Sequence, residues 1–158
     1  MKILLIIFSM ILLSNSMMAQ QSSAIDIPRL VSQAFSTRYP SVTPTKWQLD
    51  KEAYIASFTL DGKHSLAYYA ANGDFIKTET VIRHKKDLPA EVRMGLRKSP
   101  YSSWFVDKMV ETRNDTLRTV TIEVSEFYNY EIGQMEVYRL CFSLEGKLIN
   151  KEKLPMRG

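Results

Sequence analysis

One pattern, written twice, constrains this chain more than any other feature. Ile27-Pro28 followed by Val31, Ala34 and Phe35 is answered 61 residues later by Leu88-Pro89 followed by Val92, Gly95 and Leu96. In each set the apolar residues recur at the spacing of one helix face. Tyr39-Pro40 and Pro100-Tyr101 close the two stretches at the same offset, with their order exchanged. Proline disfavours helical geometry in the residue before it, so each stretch ends there. Further on, residues 67–76 resemble residues 140–149, now at an offset of 73. Trp47 has a rough counterpart in Trp104. The second copy therefore carries 12 more residues than the first between its helix and its last hairpin.

Between helix and hairpin the pattern changes to that of strands. Trp47 and Leu49 alternate with Lys46, Gln48 and Asp50, and residues 54–60 are rich in aromatic and apolar side chains. Asp61-Gly62 follows, and an Asp-Gly pair between two such runs signals a tight hairpin. Residues 64–70 return as its partner, Asn72-Gly73 marks a second turn, and residues 75–82 form a third run. In the second copy, strands are expected over residues 117–124, 135–144 and 147–154, with a turn at Glu145-Gly146. Asp26 is placed to cap the first helix, with Pro28 in its first turn. Each unit thus reads as a helix followed by an antiparallel meander. One helix cannot cover both faces of a sheet, so the expected fold is α+β: two tandem repeats, with both helices on one face of an antiparallel sheet. The boundaries are 20–86 and 87–158, as two units or one continuous domain.

The first 19 residues read differently. Met1-Lys2, an apolar run from Ile3 to Leu13 and a small residue at Ala19 have the build of a cleavable export signal. The run is shorter than the roughly 20 apolar residues that a spanning helix needs. Cleavage after Ala19 is expected, giving a periplasmic or secreted protein with no stable membrane anchor. The formal charge of +4 becomes +3 without Lys2. That excess is too mild to argue for nucleic acid. The single Cys141 cannot form an internal disulfide. Its place in a strand pattern reads as a small buried apolar residue.

Ile27-Pro28 with Val31, Ala34 and Phe35, Tyr39-Pro40, Trp47, Tyr54 with Phe58, Tyr69 with Gly73, and Leu88-Pro89 with Val92 together resemble the PepSY-like family of small exported proteins of Bacteroidetes-type bacteria. That family's modules are similar to the repeats of the β-lactamase inhibitory protein. The resemblance runs from about residue 25 to the end. It implies an exported, non-enzymatic domain that binds or inhibits another protein, and it carries no catalytic residue to this chain.

The residues themselves offer little chemistry. The two histidines, His64 and His84, lie twenty positions apart with no cysteine beside either, unlike a metal site. Phosphate-loop and nucleophile-turn motifs are missing, and the carboxylates are scattered. No catalytic, metal or cofactor residue is assigned. Arg83-His84-Lys85-Lys86 reads as a solvated linker, since electrostatic capture at a lipid surface generally needs a larger basic cluster. The 12 extra residues are expected at residues 112–116 and in a loop over residues 125–134. Phe127, Tyr128 and Tyr130 in that loop are candidate contacts for a protein or peptide partner in the cell envelope. Asp115-Thr116-Leu117 resembles a short O-glycosylation signal of exported proteins in such bacteria, which makes Thr116 a candidate acceptor. The alternatives to a binding protein are a hydrolase of envelope polymers and a structural or sensory accessory.

Overall fold

The computed structural model describes residues 25–129 and 134–155, with the side chains of 127–129 and 134 left aside. Helix α1 (Arg29–Arg38) precedes strands β1 (Lys46–Asp50), β2 (Ala53–Leu60), β3 (Lys63–Ala70) and β4 (Phe75–Val81). A short 3-10 turn (Lys85–Asp87) leads to α2 (Ala90–Lys98) and then β5 (Phe105–Arg113), β6 (Arg118–Asn129), β7 (Gln134–Ser143) and β8 (Leu148–Leu154). The eight strands form one sheet in chain order, every neighbour antiparallel.

Both helices start one residue after a proline. Pro28 and Pro89 occupy the cap positions with nearly equal backbone angles (φ −52°, ψ 138° and φ −49°, ψ 141°). The expected cap at Asp26 does not form. No side chain caps α1, and the Pro28 carbonyl accepts the Ser32 N–H at 3.1 Å instead. Asp26 is two residues too early: a capping side chain reaches the second or third N–H beyond its own position, and the helix begins at Arg29.

Asp61-Gly62 makes the expected two-residue turn, with φ of 50° and 73°. The hairpin after β3 uses another device, and the chain uses it again after β7. Gly73 N–H bonds to the Ala70 carbonyl and Ala70 N–H to the Asp74 carbonyl; Gly146 with Ser143, and Ser143 with Lys147, do the same. Gly73 and Gly146 have φ of +88° and +79°. Each glycine is also where a helix presses on a turn. A Cβ on Gly73 would lie 2.9 Å from the Leu30 carbonyl oxygen, and one on Gly146 would collide with that of Glu91. The register shifts beside these turns fall between Tyr68 and Tyr69 and between Cys141 and Phe142. Every one of these pairs keeps an offset of 61 in the helices or 73 in the hairpins.

The 12 additional residues mostly lengthen strands. β5, β6 and β7 hold 9, 12 and 10 residues against 5, 8 and 8 in β1, β2 and β3. The loop expected over 125–134 is therefore corrected. Residues 125–129 continue β6 and Gln134 opens β7, in register down to Asn129 and Gln134. The alternation Val120, Ile122, Val124 already runs toward that end, and Ser125 is buried at 4% exposure.

Register settles which side each helix covers. Phe58, Ser65, Thr80, Glu111, Val120 and Phe142 are successive partners in a row from β2 to β7. Phe58 belongs to a core with Val31 and Phe35 of α1, Ala56, Ala67 and Tyr69. Val120 and Phe142 belong to a core with Val92 and Leu96 of α2, Ile122 and Leu140. Cross-strand partners share a face, so α1 and α2 lie on the same side of the sheet. Edge-to-face ring contacts tighten the first core, with Phe35 at 5.2 Å from Phe58 and 5.6 Å from Trp47. The middle of the row, where neither helix sits, is polar: Ser65 and Thr80 bond to each other at 3.0 Å. Cys141 faces the other way and is half-buried, because Leu140 and Phe142 on either side take the core positions.

Candidate binding face

The surface of interest is the side of the sheet away from the helices. On β2, β3 and β4 it carries Ile55, Tyr68 and Lys77, which are register partners in turn. Here lies a groove of about 940 Å³. Its floor is apolar, with Ile55, Tyr68, Ala53 and Ala70. Ile76 borders it, Leu49 reaches it around the β1 edge from the helix side, where its partner Tyr54 packs, and Asp50, Lys51, Glu52 and Lys77 form a charged rim. Leu49 and Ile76 are 49% and 44% exposed. An apolar floor with a charged rim suits a ligand that buries a few large side chains and meets water at its margin.

The rim has ordered electrostatics. The Tyr68 hydroxyl donates to Glu79 Oε2 at 2.9 Å, and Lys77 Nζ donates to Glu79 Oε1 at 2.6 Å while lying 4.6 Å from the Tyr68 ring centre. Burial pushes the Glu79 carboxyl up. The hydrogen bonds from Lys77 and Tyr68 and the charges of Lys77 and Lys108 outweigh it and hold the group below the usual carboxylate value. Burial, and then the bond to Glu79, push the Tyr68 phenol well above its ordinary range.

Beyond β4 the same face becomes a ladder of alternating charge. Lys108, Glu123, Arg139 and Glu152 are successive register partners from β5 to β8. Arg139 reaches Glu123 at 3.1 Å and Glu152 at 3.0 Å. Glu123 is 4% exposed, so its charge needs such a partner. A smaller cavity of about 310 Å³ lies between this ladder and Glu79. These acids are engaged by cations, an arrangement that fixes side chains. Among the described residues no three His, Cys, Asp or Glu side chains come together as a metal would need. His64 and His84 are both exposed, the first on β3 and the second in the link between β4 and the 3-10 turn.

Of the candidate contacts, Phe127 and Tyr128 stand on β6, with Phe127 in register with Met135. Tyr130 lies outside the described residues. Thr116 is exposed in the β5–β6 turn, where its N–H and its hydroxyl both donate to Asn114 Oδ1, at 3.0 and 3.1 Å. Tyr68 and Glu79 were missed as a pair, and so were Glu123 and Arg139. For Glu123 and Arg139 the signal was present, since each stands between apolar or aromatic neighbours in a strand, which places the charge on the side away from the core; Glu79, between Thr78 and Thr80, offers no such contrast.

No protein-family model and no curated protein sequence matches the chain. Solved structures do. A BLIP-like protein from Bacteroides fragilis superposes with a TM-score of 0.74 at 23% identity, over 86% of this chain and 92% of that one. A DUF2874 family protein from Bacteroides ovatus gives 0.72 at 22%, over 82% and 89%. A protein described as periplasmic from Bacteroides eggerthii gives 0.69 at 20%, over 82% and 90%. The likeness is one of fold and spans nearly the whole described chain. It agrees with the α+β fold that the resemblance read from sequence implies. No described helix is long and apolar enough to cross a membrane.

Proposed function

We propose that this is an exported, non-enzymatic binding protein of the PepSY-like and β-lactamase-inhibitory-protein-like kind. It engages a protein or peptide of the cell envelope through the sheet face away from its helices, and it acts by occlusion. The carrying observation is the groove floored by Ile55, Tyr68 and Ala70, with exposed Leu49 and Ile76 at its border. Rigid aromatic and aliphatic anchors inside a polar margin are what a steric inhibitor needs. The fold shared with a BLIP-like and a periplasmic protein supports the same reading. The repeated helix–turn contacts support an origin by duplication, with units at 20–86 and 87–158, after an export signal over 1–19.

Two further assignments belong to this reading. Phe127 and Tyr128 of β6, together with Tyr130, contact the partner, and Thr116 accepts a glycan. Tyr128→Ala with an unchanged melting temperature and weaker partner capture supports the contact. An intact mass equal to that of the bare processed chain, from the native host, refutes the glycan.

The main test is capture of an envelope partner by the tagged protein, compared among variants. Tyr68→Ala and Ile76→Glu are expected to cut capture at least about tenfold, the usual effect of losing an anchor. Leu30→Glu, on exposed α1 surface, is expected to leave it unchanged. Equal capture by all three variants contradicts the proposal.

A further inference from the structure

Among the described residues the sheet has two edges, β1 and β8, and they are built differently. A free edge strand invites pairing with another chain, and proteins usually guard it with charge, above all with lysine. β8 is guarded. Lys151 and Lys153 stand on it with Lys147 just before, and if β8 met a copy of itself antiparallel about its centre, Lys151 would face Lys151. β1 carries one lysine and one aspartate, at its opposite ends, in place of a run of like charges. Its five residues are Lys46, Trp47, Gln48, Leu49 and Asp50, all exposed except the half-buried Trp47.

We propose that β1 is a self-pairing edge, and that a second copy of this chain joins it antiparallel about Gln48. In that register Lys46 of each copy stands opposite Asp50 of the other, Trp47 opposite Leu49, and Gln48 opposite Gln48. The charges are complementary at both ends, and opposite charges directly across a strand pair stabilise it while like charges destabilise it. The one large exposed apolar residue of the strand, Leu49 at 49%, comes to lie across from Trp47. Neither Lys46 nor Asp50 forms an ion pair within the described residues, so each is free to serve this contact. A two-fold axis through an antiparallel strand pair runs perpendicular to the sheet and preserves its faces. All four helices would therefore lie on one side. The two apolar grooves, each bordered by Leu49 and Asp50 of β1, become neighbours on the joined assembly. Five residues make a short ladder, so the dimer is weak and concentration-dependent.

Sedimentation equilibrium on protein produced from the full-length chain tests this over a range of concentrations. A monomer–dimer equilibrium is expected. Lys46→Asp, which sets Asp against Asp, and Asp50→Lys, which sets Lys against Lys, are each expected to weaken the dimer about tenfold or more. The double exchange, Lys46→Asp with Asp50→Lys, restores both pairs and is expected to recover most of that loss. Circular dichroism of each variant checks that the fold is intact. A protein that stays monomeric throughout overturns the proposal. So does a dimer that the single exchanges leave unchanged, or one that the double exchange fails to restore. Assemblies that grow past the dimer overturn it as well, since they would show β1 pairing with another edge.

Discussion

Glu79 sits between a phenol and an ammonium, and its charge is part of what holds this region of the sheet together. Lys77 and Tyr68 both donate to it, and they keep its carboxyl below the ordinary value of 4.5 in spite of burial. A carboxylate whose pKa is lowered by folding adds stability above its unfolded pKa, and that stability is lost as the pH falls through the folded value. The protein is therefore expected to lose this group's contribution to stability on acidification below about pH 4.5. Glu79→Gln should flatten that part of the pH dependence. Urea midpoints of the two proteins at pH 7 and pH 3 check it: equal slopes would show that the group contributes nothing. Sequence could not find this cluster, because Tyr68, Lys77 and Glu79 meet only through the pairing of β3 with β4. A strand residue's neighbours across the sheet depend on register, and register is set by turns and bulges further along.

At the scale of elements, the turns were legible and the faces were not. Asp61-Gly62 announced its own geometry, since both central positions of that turn have positive φ. The helix-facing residues Val31, Phe35, Val92 and Leu96 were readable from spacing, and all four are buried. The extension of β6 reads as a loop in the sequence because aromatic and polar residues are mixed there, although the strand itself runs on to Asn129. What no pattern could disclose is the closeness of helix and turn at Gly146, where a methyl group would meet the Glu91 carbonyl and the backbone also has φ of +79°. Gly146→Ala is expected to destabilise the protein by about 3 kcal/mol or more, combining overpacking with backbone strain. Gly62→Ala meets open space and carries strain alone, at about 1 kcal/mol. Thermal unfolding of the two variants orders them, and a Gly62→Ala that matched Gly146→Ala would contradict the packing role.

At the scale of the molecule, one sheet carries two cores. The cluster under α1 and the cluster under α2 share no residue. The strands that join them, β4 and β5, have four register pairs, from Thr78 with Arg113 to Val81 with Val110, and on the helix side of this seam lie Thr78, Thr80, Glu111 and Arg113. Arg38 of α1 does reach Asp115 in the β5–β6 turn at 2.9 Å. That pair is largely exposed and is worth no more than about 1 kcal/mol. The halves should thus be coupled but unequal in their response to local damage. Trp47 packs in the first core and Trp104 against the second, so each reports on its own half. Leu96→Ala, costing about 2–5 kcal/mol, is expected to lower the urea midpoint seen by Trp104 more than that seen by Trp47, in variants retaining one tryptophan each. Coincident shifts would show a single cooperative unit instead.

The proposed division of the molecule, with a helix side that stabilises and an opposite strand side that recognises, can be probed in the native envelope. A photo-reactive side chain placed at Tyr68 or Ile76 is expected to cross-link a partner on illumination, and one placed at the exposed Leu30 or Met94 of the helices is not. Cross-links formed from the helices, with none from Tyr68 or Ile76, would contradict the account.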